Sequence, residues 1–70
     1  MRTIRELREE RGWTQRDLAA RLDVTVTSVS GWERRTGEPR ASQLRRLARL
    51  FGVSMDEINF EADEGKELAA

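Results

Sequence analysis

The chain contains no cysteine, no histidine and no tyrosine. Without cysteine there can be no disulfide framework, which suits a reducing compartment. Without cysteine or histidine a metal could be held only by carboxylates, and no loop has the alternating acidic pattern of a hard-cation site, so no metal or cofactor is expected. Histidine, cysteine and tyrosine are thus unavailable as general base or nucleophile, and the carboxylates fall at helix starts or on surface positions; an enzyme is not expected. No stretch approaches the roughly 20 apolar residues of a membrane span, and no apolar run near the N-terminus is long enough for a signal peptide. The expectation is a cytoplasmic protein without a membrane partner. At 70 residues the chain forms one domain with a small core, since a chain this short buries only about 60% of its unfolded surface. Local structural signals therefore have to be strong.

Net charge is zero, yet the charges are unevenly placed. Residues 1–50 hold twelve of the thirteen bases against seven acids, whereas residues 51–70 hold six acids and only Lys66. All twelve bases of the first segment are arginine, whose planar fork suits phosphates and base edges. Composition alone is equally compatible with a solvated surface of mixed charge.

Apolar residues recur at helical spacing, each run preceded by a capping residue, and the spacing predicts an all-α bundle of five short helices. Thr3 and Glu6 form a capping box, Ile4 and Leu7 an apolar stripe, and Gly12 a stop. Thr14 caps the second helix with Asp17 in its third position, Trp13 can staple onto Leu18, and Leu18, Ala19 and Leu22 make the buried face. After Asp23 and Val24, Thr25 caps a third helix over residues 26–34, with Val24 able to staple onto Val29. Residues 35–39 read as a loop, Ala41–Phe51 as a fourth helix with Leu44, Leu47, Ala48 and Phe51 inward, and Gly52 as its stop. Ser54 and Glu57 repeat the start signal, predicting a fifth helix with Val53 stapled onto Ile58. Residues 1–60 form the domain, and the acidic segment 61–70 is expected to be flexible or ordered by a partner.

Plotted at 3.6 residues per turn, the third helix turns Val29, Trp32 and Glu33 inward. Thr27, Ser30, Gly31 and Arg34 form the opposite stripe, with Val26 at its leading edge. Solvent-facing helix surfaces usually carry long, strongly helix-forming side chains, so small polar residues there point to contact with something else.

In register across the chain, Thr14-Gln15-Arg16-Asp17-Leu18-Ala19, Val24-Thr25, Val29-Ser30-Gly31-Trp32-Glu33-Arg34, Pro39, Leu44, Leu47-Ala48 and Phe51-Gly52-Val53 resemble the lambda-repressor/Cro (XRE-type) helix-turn-helix family over residues 2–60. The resemblance implies a DNA-binding transcription regulator acting as a repressor, working in a prokaryotic nucleoid or encoded by a phage. It implies that residues 25–35, opened by Thr25, enter the major groove. Gln15 would bind a phosphate and brace the recognition helix, with Thr14 and Arg16 alongside at a helix N-terminus that favours anions. Val26, Thr27, Ser30 and Gly31 would meet base edges, the methyl groups of Val26 and Thr27 suiting thymine and the hydroxyls of Thr27 and Ser30 suiting several bases. Arg34, Arg35 and Arg40 would contact phosphates, or Arg40 the minor groove. The family also implies an ion pair of Arg8 with Glu33. Many members carry glycine where this chain has Arg35, so the loop after the recognition helix departs from the pattern.

Two-fold assembly on a palindromic operator, with half-sites about 34 Å apart, follows from the short reach of one recognition helix. Candidate dimer contacts are Met55, Ile58, Phe60 and Leu68, with packing of Ile58 and Phe60 on the fourth helix the alternative. The competing class is a protein-interaction module, such as the antitoxin of a toxin–antitoxin pair, binding a partner protein through residues 54–70. Such a module should expose an apolar patch, while a DNA reader should gather arginines around Thr14, Thr27 and residues 34–40.

Overall fold

The computed structural model describes residues 2–59. They form four α-helices, a single 3-10 turn and a pair of two-residue strands: β1 (Arg2–Thr3), α1 (Ile4–Glu10), α2 (Gln15–Leu22), α3 (Val26–Glu33), α4 (Ala41–Phe51), the turn Met55–Glu57 and β2 (Ile58–Asn59).

α1, α2 and α3 each begin where a cap side chain accepts an amide that the helix cannot satisfy itself, whereas α4 starts at Arg40 without such a cap, the Arg40 N–H donating to Gln43 Oε1 at 2.8 Å. Thr3 Oγ1 accepts the Glu6 N–H at 3.0 Å while the Glu6 carboxylate accepts the Thr3 N–H at 2.8 Å. Thr14 and Asp17 repeat this exchange at the same two distances. Thr25 Oγ1 accepts the Ser28 N–H at 3.1 Å and opens α3. The hydrogen bonds from Thr3 and Thr14 hold the Glu6 and Asp17 carboxyls below the usual carboxylate range. Because the folded-state values are depressed, the contribution is complete at neutral pH and is lost as pH falls below about 4. Thermal melting between pH 7 and 3 checks this: Asp17→Asn should flatten the acid side of the profile.

The stops are equally local. Gly12 and Gly52 both adopt φ +71°, the left-handed region that ends α1 and α4. Asp23 closes α2 with φ +58°, a conformation aspartate tolerates better than most residues. The Val24 N–H then returns to the Ala19 carbonyl at 3.0 Å, which makes the connection to α3 tight.

The core gathers the inward stripes of all four helices: Ile4 and Leu7; Leu18, Ala19 and Leu22; Val29 and Trp32; Leu44, Leu47, Ala48 and Phe51. α2 packs chiefly on α3, with α1 against α3 and α4 against α2. Trp13 stacks on Phe51, ring centroids 6.1 Å apart, so it staples α4 as well as covering the start of α2. The Arg11 guanidinium lies 4.9 Å over the Phe51 ring and donates to the carbonyls of Leu7 and Phe51, fastening α1 to the end of α4.

The fifth helix is not formed, and the architecture is not purely helical. Glu57 Oε1 does accept from Ser54, but only one 3-10 turn follows. Ile58 is instead drawn into the core, and its strand runs parallel to β1, with Arg2 opposite Ile58 and Thr3 opposite Asn59. Pairing with a strand more than fifty residues away in sequence overrides the local start signal. Ile58, 3% exposed, is therefore part of the monomer core and unavailable as a dimer contact. Met55 remains on the surface, while Phe60, Leu68 and the segment 61–70 lie outside the described residues. α3 ends at Glu33, one residue short of expectation.

Candidate nucleic-acid interface

The unit α2–turn–α3 presents two surfaces in continuity. One is the amino end of α2, capped by Thr14; the other is the outward side of α3. Arg8, Thr14, Gln15, Arg16 and Val26 line one open cleft between them. Thr14, Arg16, Thr25, Val26 and Thr27 are exposed, and Gln15, Ser30 and Gly31 are half-exposed. Val26 is 41% exposed, an apolar side chain left in solvent on a helix whose other large residues, Val29 and Trp32, are buried.

What fixes the angle of α3 is a polar cluster at its carboxyl end. Glu33 lies inward, its side chain only 4% exposed, and meets the Arg8 fork with Nε donating to Oε2 at 2.6 Å and Nη2 to Oε1 at 3.0 Å. Gln15 Nε2 donates to the same Oε1 at 3.0 Å. Arg8 uses Nη1 for the Trp13 carbonyl, 2.6 Å away. One carboxylate thus ties α1, the loop before α2, the first residue of α2 and the last residue of α3 together. The hydrogen bonds and charge of Glu33 raise the Arg8 pKa above the ordinary arginine value. The Thr14 and Asp17 N–H groups are taken up within the capping box, and the helix start beside the cleft is of the kind that favours an anion.

The loop after α3 resolves the departure at Arg35. The residue adopts φ +61°, the conformation a glycine would adopt freely. Its N–H bonds to the Trp32 carbonyl at 3.2 Å, and Thr36 N–H to the Gly31 carbonyl at 3.0 Å, closing the helix end. Holding a non-glycine residue there costs about 1 kcal/mol. Arg35→Gly is accordingly expected to stabilise the domain by about 1 kcal/mol in urea denaturation; an unchanged or lower midpoint would show that contacts of Arg35 outweigh its backbone strain. Arg34 and Arg40 are exposed, Arg35 half-buried. Arg16, Arg34 and Arg40 form no ion pair among the described residues.

The structure therefore brings Arg8, Thr14, Gln15, Arg16 and Val26 together at one cleft, puts Thr27, Ser30 and Gly31 along the outward side of α3, and places Arg34, Arg35 and Arg40 at or beyond its end. Sequence reasoning missed the contacts of Arg11 with Phe51 and of Arg21 with Trp13, whose guanidinium lies 4.3 Å over the indole. Neither has a local signal, since both depend on how α4 and α2 come to lie beside the Trp13 loop. Among the described residues no helix is long and apolar enough to cross a membrane, and no group of three or more acidic side chains could hold a metal ion.

A family model described as helix-turn-helix matches residues 4–58. The chain is 34% identical over 55 residues to the HTH-type transcriptional activator BcrR of Enterococcus faecalis, covering 79% of this chain and 27% of that protein. It is 32% identical over 53 residues to the HTH-type transcriptional regulator ImmR of Bacillus subtilis, covering 76% of this chain and 42% of that one. It is 33% identical over 55 residues to the HTH-type transcriptional regulator DdrOP3 of Deinococcus deserti, covering 79% and 43%. The chain thus spans less than half the length of these relatives, and the shared part is the domain described above. No solved structure gives a significant match. With the match running from the first residue of α1 to β2, and with the capped α2–turn–α3 unit in place, the chain belongs to the lambda-repressor/Cro-like (XRE-type) helix-turn-helix family.

Proposed function

We propose that this domain binds double-stranded DNA as a transcription regulator, with α3 in the major groove and the amino end of α2 on the phosphate backbone. The observation that carries the reading is the continuity of the small, outward residues of α3 with the α2 start in one surface, held at a fixed angle by Glu33. An α-helix with Thr27, Ser30 and Gly31 outward fits a groove about 12 Å wide. Thr14, Gln15 and Arg16 sit where a helix N-terminus attracts a phosphate, and Arg34, Arg35 and Arg40 supply charge at the far end.

Readout through this face is permissive. Val26 and the Thr27 methyl suit the thymine methyl group, and the hydroxyls of Thr27 and Ser30 accept or donate to several base edges. No residue at the centre of the outward face offers the two-pronged hydrogen bonding that discriminates most strongly, so pairing of two domains on a palindromic operator is the proposed source of specificity. Occupancy of such an operator makes repression the proposed mode, although BcrR carries an activator's name.

Gly31 supports the same reading. Its backbone is not left-handed, and a Cβ there would meet only Thr36 Oγ1 at 3.6 Å, an ordinary contact. Neither conformation nor packing asks for glycine in the middle of α3, where it costs about 1 kcal/mol against alanine. Clearance for a groove wall is what remains. Gly31→Ala is expected to raise stability by about 0.5 to 1 kcal/mol while weakening DNA binding; a variant that gains stability and keeps its affinity would remove Gly31 from the interface.

The protein-interaction reading is less well supported, because Val26 and Met55 are the exposed large apolar residues among those described and do not make a broad patch. The test is fluorescence anisotropy against a random pool of labelled duplexes, with selection of the bound sequences. Support would be a two-fold motif with half-sites about 34 Å apart and a log–log salt slope of about −0.9 per phosphate neutralised. Absence of binding at low salt would refute it and leave a protein partner as the alternative.

A further inference from the structure

On a surface that shares no residue with the α2–α3 cleft, a second groove runs between α2 and α4, lined by Arg21, Leu22, Arg46, Arg49 and Leu50. Leu22 is buried and Leu50 half-buried, so the floor is apolar and the walls are cationic. Arg21 is held in place by stacking on Trp13 and by donating to the Asp17 carbonyl at 3.2 Å. None of these three arginines forms an ion pair among the described residues. Three guanidiniums that form no ion pair among the described residues, around two leucines, are complementary to an acidic segment that also carries large apolar side chains.

We infer that this groove is the docking site of the chain's own residues 60–70. Residues 2–59 carry twelve arginines and nine carboxylates; residues 60–70 carry four carboxylates, Glu61, Asp63, Glu64 and Glu67, against the single Lys66. The excess of one segment matches the deficit of the other, and Phe60 and Leu68 supply the apolar side chains for the floor. Position favours docking within one molecule. The 3-10 turn that ends three residues before this segment packs on α4, the helix that forms one wall of the groove, and the chain then passes through β2 beside β1. Eleven residues can extend about 36 Å, more than twice the roughly 16 Å length of α4. The inference does not rest on the DNA reading, since the groove and the recognition face are lined by different residues.

The absence of native cysteine makes the test clean. Ala69→Cys in the full chain gives one attachment point for a nitroxide, whose effect on backbone amide resonances reports where the segment lies. The expected result at low ionic strength is loss of peak intensity at Arg21, Leu22 and residues 46–50. That loss should persist on dilution and disappear in about 1 M salt, where the screening length is about 3 Å. It should also disappear in the exposed double variant Arg46→Glu/Arg49→Glu, but not in Arg34→Glu/Arg40→Glu. The salt titration needs no further substitution, so it decides the matter even if a variant folds poorly. Unperturbed groove amides at low salt would overturn the inference. So would intensity loss centred on α3 and Arg40, or loss seen only when spin-labelled protein is mixed with isotope-labelled protein, which would put the segment on a second copy.

Discussion

Replacing Arg8 with alanine is expected to lower the unfolding free energy by about 3 kcal/mol, the lower end for removing one member of a buried ion pair. For a domain of this size that means a fall in melting temperature of more than about 10 °C. The size of the effect follows from what the substitution strands. Glu33 keeps only the Gln15 amide while its side chain stays 4% exposed, and the Trp13 carbonyl loses its donor. Arg8→Lys should recover little, because an ammonium cannot reproduce the fork that meets both carboxylate oxygens. Removing both charges, as in Arg8→Met with Glu33→Leu, should cost less than either single replacement, since no ion is then left without its partner. Urea denaturation of the four-member cycle checks this. Single variants within about 0.5 kcal/mol of the parent, the range of ordinary surface substitutions, would show that the pair does not hold α1 to α3.

Thr27→Glu is expected to weaken DNA binding more than about 100-fold, since a like charge brought against the phosphates costs several kcal/mol. Thr27 is exposed in the first turn of α3 and is not a member of the core, and glutamate is the better helix former and is favoured near a helix N-terminus. Stability should therefore be unchanged or slightly raised. The divergence of the two readouts is what distinguishes a binding residue from a structural one. Equal affinity of the variant and the parent at moderate salt would take the outward side of α3 out of the interface.

The helices were readable from the chain because their boundaries are set within a few residues of themselves. Thr3 with Glu6, Thr14 with Asp17, Thr25, Gly12 and Gly52 each act through contacts at short sequence separation. The same locality explains the error after residue 53. A capping box at Ser54 and Glu57 starts a turn but does not fix its length, and the competing partner of Ile58 is Arg2 at the opposite end of the chain. A similar limit applies to Arg11, whose acceptor on Phe51 lies forty residues away. At the interface, the inward orientation of Glu33 and the outward row of Val26, Thr27, Ser30 and Gly31 follow from helical periodicity. The partner of Glu33 does not, because nothing local links Arg8 to it; that contact was reached through the family resemblance. The left-handed Arg35 was foreshadowed only as a departure at a position where relatives carry glycine.

The most direct test of major-groove reading by α3 uses the duplex selected from the random pool, with each thymine replaced in turn by uracil. The change removes only the C5-methyl group, which lies in the major groove. One or two thymines per half-site are expected to lose affinity when replaced, and the loss should vanish in a Val26→Ala/Thr27→Ser variant with binding elsewhere on the duplex unchanged. If no uracil substitution alters affinity, or if the same positions stay sensitive in that variant, Val26 and Thr27 are not at the base edges, and the placement of α3 proposed above is wrong.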